Sequence, residues 1–398
     1  SRCQREGRGF DPLCPLQNLL LMKICVEGWR NINHSYAMVN QYQLIQLLNL
    51  PIKLKHKDIK FYKENWNMLE NSNGFNETMN DIIDSILSPN NDEIFDVTYR
   101  ITFPFNFEKC NSNKLFVYGT AETKNIEKKF INGDPNHFSE REDLRIITPS
   151  NWSKEGFLIH GFTENQVHVI PHGVDIKNFV PVSREQKKKF RENLAINEND
   201  FIISNVGGMT NNKGIDYLLV AFSILKQKYR NIKLILKDQS NLYKIKGSIH
   251  LEQMKKSNYS KYLNDRVLED ILFISDNLSI KNLNLLYNIT NCYVSPYRAE
   301  GFNLTPLEAS ACGTPIVVTK GGSTDEYFHP SLGLQIDSEI IKTEKNVSLK
   351  PKIDSLIRCI SKIIENPNNY CGQQGAEFVS KNFSWEKVTN DLYNLMKT

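Results

Sequence analysis

Phe201-Ile202-Ile203-Ser204-Asn205-Val206-Gly207-Gly208-Met209-Thr210-Asn211-Asn212-Lys213-Gly214 runs from an apolar strand into a glycine-rich loop. Beyond it, Ile215, Leu218, Leu219, Phe222 and Leu225 recur on one helical face. The next apolar run, Ile232–Leu236, is a strand again, and further strands are predicted at Ile271–Ile274, Cys292–Val294 and Pro315–Val318, with a helix over 279–288 among them. Strands that are apolar on both faces and alternate with helices form a parallel sheet covered by helices. The predicted class is α/β.

The first half repeats the theme less clearly. Lys23-Ile24-Cys25-Val26 runs into Glu27-Gly28-Trp29-Arg30 and then a helical pattern from about Ser35 to Leu48, which is how a Rossmann-like half begins. Later strands are expected at Ile59–Tyr62, Val97–Tyr99, Lys114–Tyr118, Arg145–Thr148 and Val167–Ile170. Ile170-Pro171-His172-Gly173-Val174-Asp175 reads as the hinge, with His172 structural, and a charged helix over 183–194 follows it.

A chain of 398 residues is long enough for two cores of ordinary domain size. The predicted organisation is a leader at 1–21, a first domain at 22–176, a second at 177–380, and a last helix at 381–398 crossing back to the first. With a net charge of only +4 and Lys and Arg interspersed with Asp and Glu, a dedicated nucleic-acid binder is disfavoured. The eight cysteines are scattered without metal-site spacing, as expected of reduced thiols in a cytoplasmic enzyme. No apolar run reaches the roughly 20 residues that cross a bilayer. Peripheral contact with the inner membrane surface stays open, although the first half offers no clear amphipathic basic helix.

Glu300-Gly301-Phe302-Asn303-Leu304-Thr305-Pro306-Leu307-Glu308 follows the strand ending near Val294. Thr305, Pro306 and Glu308 read as N-cap, N1 and N3 of a capping box, so the new helix would point free N–H groups back at Glu300. Such a helix start attracts phosphate, while nearby carboxylates accept hydrogen bonds from sugar or ribose hydroxyls. Glu308 as a simple cap and Glu300 as a solvated loop acid are the bland alternatives.

Arg298-Ala299-Glu300-Gly301-Phe302-Asn303-Leu304, Leu307-Glu308-Ala309, Ala311-Cys312-Gly313-Thr314-Pro315 and Gly321-Gly322 resemble the donor-binding segment of family-4 retaining glycosyltransferases, with the same E-x7-E spacing. Gly207 to Gly214 is similar to that family's G-R-x-x-x-x-K-G loop, Lys213 matching the lysine. The resemblance implies the GT-B fold, two Rossmann-like domains facing across a cleft, and a nucleoside-diphosphate-sugar as co-substrate, with neither cofactor nor metal. By that carry-over Lys213 and the backbone N–H groups of Phe302 to Thr305 stabilise the diphosphate, Glu308 holds the ribose, Glu300 the donor sugar, Gly301 belongs to the same donor site, and Gly28 approaches from the other domain. Gly207 and Gly208 allow close approach to phosphate. A D-x-D triplet is absent, in keeping with this.

The chain departs from that pattern twice. Gly208 stands where an arginine is usual, and Arg298 is the candidate substitute. Where many of these enzymes carry a histidine after a mid-domain strand, this chain has Gly119-Thr120-Ala121-Glu122. Thr120 or Glu122 takes that place, Glu122 as proton acceptor or merely as the start of a helix over 122–130. The acceptor implied is a carbohydrate or lipid-linked hydroxyl. A non-catalytic nucleotide-sugar scaffold and an epimerase or hydrolase on the same fold are the rivals; a dehydrogenase is disfavoured because no G-x-G-x-x-G series is present.

Overall fold

The computed structural model describes residues 21–127, 129, 135–370 and 372–398; the expected leader falls almost wholly outside them. The first half holds a six-stranded parallel sheet of β1 (Met22–Gly28), β2 (Ile52–Asp58), β3 (Phe95–Ile101), β4 (Ser112–Tyr118), β5 (Leu144–Thr148) and β6 (Val167–Val169), in the order β2-β1-β3-β4-β5-β6. The second half repeats it with β7 (Phe201–Val206), β8 (Ile232–Lys237), β9 (Ile271–Ile274), β10 (Cys292–Ser295), β11 (Ile316–Thr319) and β12 (Gly333–Ile336), ordered β12-β11-β10-β7-β8-β9. Two Rossmann-like parallel sheets, as expected from the sequence, are therefore present.

Helices that matter for the site are α1 (Ser35–Leu47), α2 (Arg184–Asn193), α3 (Ile215–Lys228), α4 (Ile280–Ile289), α5 (Leu304–Ala311) and α6 (Trp385–Lys397). The apolar face expected on α3 is buried, with Leu218, Leu219 and Phe222 fully covered. After the hinge the chain docks on the second half: Val180 N–H donates to Asn284 (3.2 Å) and Val182 N–H to Asn288 (2.9 Å), both on α4. The α2 helix then starts at Ser183 in a capping box with Gln186.

At its end the chain returns to the first half. Trp385, the first residue of α6, stacks on Tyr42 of α1 at 5.2 Å and 11°. Its backbone lies against the hinge, where a Cβ on Gly173 would stand 2.5 Å from Trp385 N. Val174 donates to Phe383 O (2.6 Å), locking hinge and C-terminal segment together. Truncating Trp385 to Ala is expected to destabilise the protein by about 3–5 kcal/mol, the usual cost of deleting a buried tryptophan. The midpoint of urea unfolding measures it.

Some expected elements differ. The strand expected at Ile59–Tyr62 is instead Ile52–Asp58, an edge strand in which Lys alternates with half-buried Ile and Leu and the inward His56 is fully buried. Ile59 lies past its end, bonded to Gly28 O (3.2 Å). The helix expected over 122–130 does not form across its described residues: Lys124 is left-handed at φ 54°, which an α-helix excludes. An antiparallel hairpin, β13 (Ser338–Lys342) with β14 (Val347–Pro351), was not anticipated. No helix among the described residues is long and apolar enough to cross a membrane.

Candidate active site

In the second sheet β7 has β8 on one side and β10 on the other, so the strand order reverses between β7 and β10. Crevices in parallel sheets open at such a point, beyond the carboxyl ends of the strands. The loop after β7, Gly207 to Gly214, and the loop after β10, Pro296 to Asn303, therefore lie side by side. Arg298 N–H donates to Asn212 O (2.6 Å) and Asn212 Nδ2 to Ala299 O (3.0 Å), which ties the two together. A cavity of about 380 Å³ opens over both loops and is closed from the first half by α1 and by Tyr118, Thr120 and Glu122.

Lys213, at the end of a 3₁₀ turn, is ion-paired with Glu300 in this cavity. Burial is the main force raising the Glu300 pKa; Lys213 opposes it and Glu122 adds to it. For Lys213 burial acts against the charge, and the carboxylates of Glu300 and Glu122 outweigh it, so its pKa is raised. Glu122 reaches the same place from the first half and accepts from Asn212 Nδ2 (3.2 Å). Next to it, Thr120 packs so tightly on Gly301 that a Cβ there would lie 2.8 Å from its side chain. Ser150 Oγ donates to Gly301 O (2.6 Å). Gly301 is required because two first-half residues close over it.

The helix beyond Glu300 does not begin with the expected capping box. Asn303 is the N-cap, left-handed at φ 66°, and α5 starts at Leu304. Asn303 holds that conformation because its Nδ2 donates to Ser295 Oγ (2.9 Å) and its carbonyl accepts from Tyr327 OH (2.8 Å). Thr305 bonds Tyr293 OH instead (2.7 Å). The amides of Phe302 to Thr305 find no protein acceptor among the described residues, and all four residues line the cavity with Gly301. The outcome expected of the box, a helix start with open donors, is reached by another route.

Glu308 lies on the first turns of α5 and also lines the cavity. It accepts from Tyr287 OH (2.8 Å). Burial pushes its pKa from 4.5 up to about 7, the Tyr287 bond opposing this and Asp175 adding to it. Between those two values the folded protein holds a proton that the unfolded chain releases. Stability of the unliganded protein is therefore expected to fall as pH rises from 4.5 to about 7, and Glu308→Gln to flatten that slope. Thermal midpoints taken across the window check the sign.

Other expected residues are placed differently. Arg298 does not line the cavity; its guanidinium is held by both carboxylate oxygens of Asp216 (2.8 and 2.5 Å) and by Asn211 O (2.7 Å), and lies over Tyr217. It is not a substitute for a guanidinium at position 208. Gly207 and Gly208 do line the cavity, but the Tyr243 ring lies 2.8 Å from where a Cβ on Gly208 would stand. An aromatic ring fills the space a longer side chain would need. Gly28 does not line it either; a Cβ there would meet Asn40 Nδ2 at 2.8 Å, so this glycine serves packing against α1. Trp29 is buried, and His34 caps α1 by accepting from Tyr36 N–H (3.2 Å).

Among the cavity residues to which sequence reasoning gave no site role are His172, Tyr243 and Lys237. His172, from the hinge, bonds Tyr118 OH (2.7 Å) through Nε2 and packs on Phe302, while burial lowers its pKa to about 3 and keeps it neutral. Tyr243 and Lys237 line the second-half side. For Lys237 a signal existed, a lysine directly after the apolar run Leu234-Ile235-Leu236 at the carboxyl end of a strand. Among the described residues no group of three or more His, Cys, Asp or Glu side chains is placed to hold a metal ion.

Residues 186–377 match the family model Glycosyl transferases group 1. The chain carries a glycosyl transferases group 1 domain. This group 1 domain contains Lys213, Glu300 and Glu308. Similar proteins include D-inositol 3-phosphate glycosyltransferase of Pseudarthrobacter chlorophenolicus, 28% identical over 48% of this chain and 43% of that protein. An uncharacterized glycosyltransferase of Methanocaldococcus jannaschii is 27% identical over 66% of this chain and 62% of its own length. The chain thus spans less than two-thirds of either relative. Among solved structures, a glycosyltransferase from Rickettsia africae superimposes with a TM-score of 0.69 at 14% identity, covering 94% of this chain and 98% of that one. HepE of Anabaena in complex with UDP-glucose gives 0.65 at 14%, covering 94% and 99%. At such identities these neighbours establish the fold around the group 1 domain, which is GT-B.

Proposed function

We propose that the protein is a retaining glycosyltransferase that moves a sugar from a nucleoside-diphosphate-sugar to a hydroxyl of a carbohydrate or lipid-linked acceptor. One observation carries this reading: Lys213, Glu300, Glu308 and the open amides of α5 converge on a single cavity at the mouth of the group 1 domain. A neighbour of the same fold that holds UDP-glucose supports it. In this reading Glu308 orients the ribose, Glu300 the donor sugar, and Lys213 with the amides of 302–305 receives the charge of the departing diphosphate. As the bond to phosphate breaks, positive charge grows on the sugar ring, so stabilising the leaving group is the main electrostatic task. Closure by the first half excludes the water that would otherwise hydrolyse the donor.

Glu122 is proposed to hydrogen-bond the acceptor hydroxyl, reaching the cavity from the opposite half. The cations of the site carry this scheme without a divalent ion, and turnover is expected to survive a chelator. Cytoplasmic placement is part of the same proposal. The closed space at Gly208 favours a second reading, a nucleotide-sugar-binding scaffold, since no guanidinium can enter there. Purified protein offered a panel of nucleotide sugars, with released diphosphate and products read by mass spectrometry, separates the two. Binding of a donor with no diphosphate released above the level of the site variants favours the scaffold, and release that no acceptor raises favours a hydrolase. Release that is unchanged in Glu300→Ala, Glu308→Ala and Lys213→Ala would sink the site assignment.

A further inference from the structure

Lys237 is a buried cation with no acid to match it. It is the last residue of β8, in register with Val206 at the end of β7, and only 3% of it is exposed. Its Nζ donates to the Asp238 carbonyl. The Asp238 carboxylate is turned elsewhere and accepts from Ser240 N–H (3.1 Å), Gly247 N–H (3.0 Å) and Ser275 Oγ (3.0 Å). No carboxylate lies within ion-pairing distance of Lys237 among the described residues. Lys226, equally buried, is paired with Asp270, and Lys213 with Glu300. A buried ammonium without a counter-charge is costly, and burial accordingly lowers the Lys237 pKa against the pull of Asp238 and Asp276. An anion in the cavity would relieve that cost.

The geometry gives the anion a place. Gly207 N–H donates to Lys237 O (3.0 Å), while Lys213 Nζ lies 4.0 Å from where a Cβ on Gly207 would stand. The main chain of Lys237 and the ammonium of Lys213 thus adjoin the same glycine, and all three residues line the cavity. Neither other candidate for a second cation reaches it: Arg298 is held by Asp216, and position 208 is shut by Tyr243.

We propose that Lys237 is a second phosphate-binding residue, its ammonium and that of Lys213 holding the diphosphate of a nucleotide between them across Gly207. The inference rests on the nucleotide-sugar reading above and names the residue that takes the role of a guanidinium at this site. Two point charges replace a planar fork, so binding relies on charge more than on bidentate geometry.

Isothermal titration of wild type, Lys237→Met and Lys237→Arg with UDP, GDP and ADP, and with uridine, guanosine and adenosine, tests it. Lys237→Met is expected to weaken the best-bound diphosphate by about 10- to 100-fold, the range for one hydrogen bond to a charged group, and to leave its nucleoside unchanged. Lys237→Arg keeps the cation and is expected to restore most of the affinity. The assignment is overturned if Lys237→Met binds the diphosphate as wild type does, or if it loses nucleoside and diphosphate alike while Lys237→Arg does the same. Should wild type bind no diphosphate better than its nucleoside, the nucleotide reading itself falls, and Lys237 with it.

Discussion

Lys213→Ala is expected to lower kcat by about 10²–10³-fold, the loss typical when one preorganised group facing developing charge is removed. The lysine is the only side chain of the loop after β7 that forms an ion pair with Glu300, and in the proposed reaction it faces the departing diphosphate. The folded state should survive the change. Without Lys213 the buried Glu300, whose pKa is already raised, takes up a proton and stays neutral rather than remaining an uncompensated buried charge. A further consequence follows for pH: a site whose Glu300 has lost its lysine should show the acid limb of turnover moved upward. Initial rates against pH for wild type and variant, with circular dichroism to confirm folding, decide it. A variant that turns over as fast as wild type would remove Lys213 from the chemistry.

Fold was legible in the sequence where strands are buried on both faces. β7, β8, β10 and β11 are near-continuous apolar runs and were read within a residue or two of their ends. The edge strand β2 was not, because Ile-Lys-Leu-Lys-His-Lys-Asp carries lysines on its open side and resembles a surface loop. The exposed hairpin β13–β14 escaped for the same reason. At the site, Glu300, Lys213 and Glu308 were found from spacing, since spacing along a loop and a helix start is local. What local spacing could not give was who already holds whom. Arg298 looked free, yet Asp216 at the start of α3 binds it. Gly208 looked like a lost arginine, yet Tyr243, thirty-odd positions on, fills the space. Lys237 comes from a neighbouring strand, and only the parallel register brings it beside Gly207.

Gly214→Ala is expected to damage stability and turnover together, because this glycine is where the two site loops touch. It is left-handed at φ 68°, between the 3₁₀ turn that carries Lys213 and the start of α3. A Cβ there would stand 2.0 Å from Pro296 O and 2.9 Å from Pro296 C, which is backbone and has no rotamer to escape into. Left-handed conformation alone costs an L-residue about 1–2 kcal/mol, and the collision adds to it by driving the Lys213 loop away from the loop that carries Glu300. A misplacement of about 1 Å in a positioned group can cost on the order of 100-fold in rate. Gly313→Ala separates the two contributions. That glycine is also left-handed, at φ 81°, but its Cβ would meet nothing closer than 3.5 Å. Thermal midpoints should therefore fall for both variants and further for Gly214→Ala, while kcat should fall only for Gly214→Ala. Equal losses of rate in the two would mean that strain in the domain, and not the spacing of Lys213 from Glu300, governs turnover.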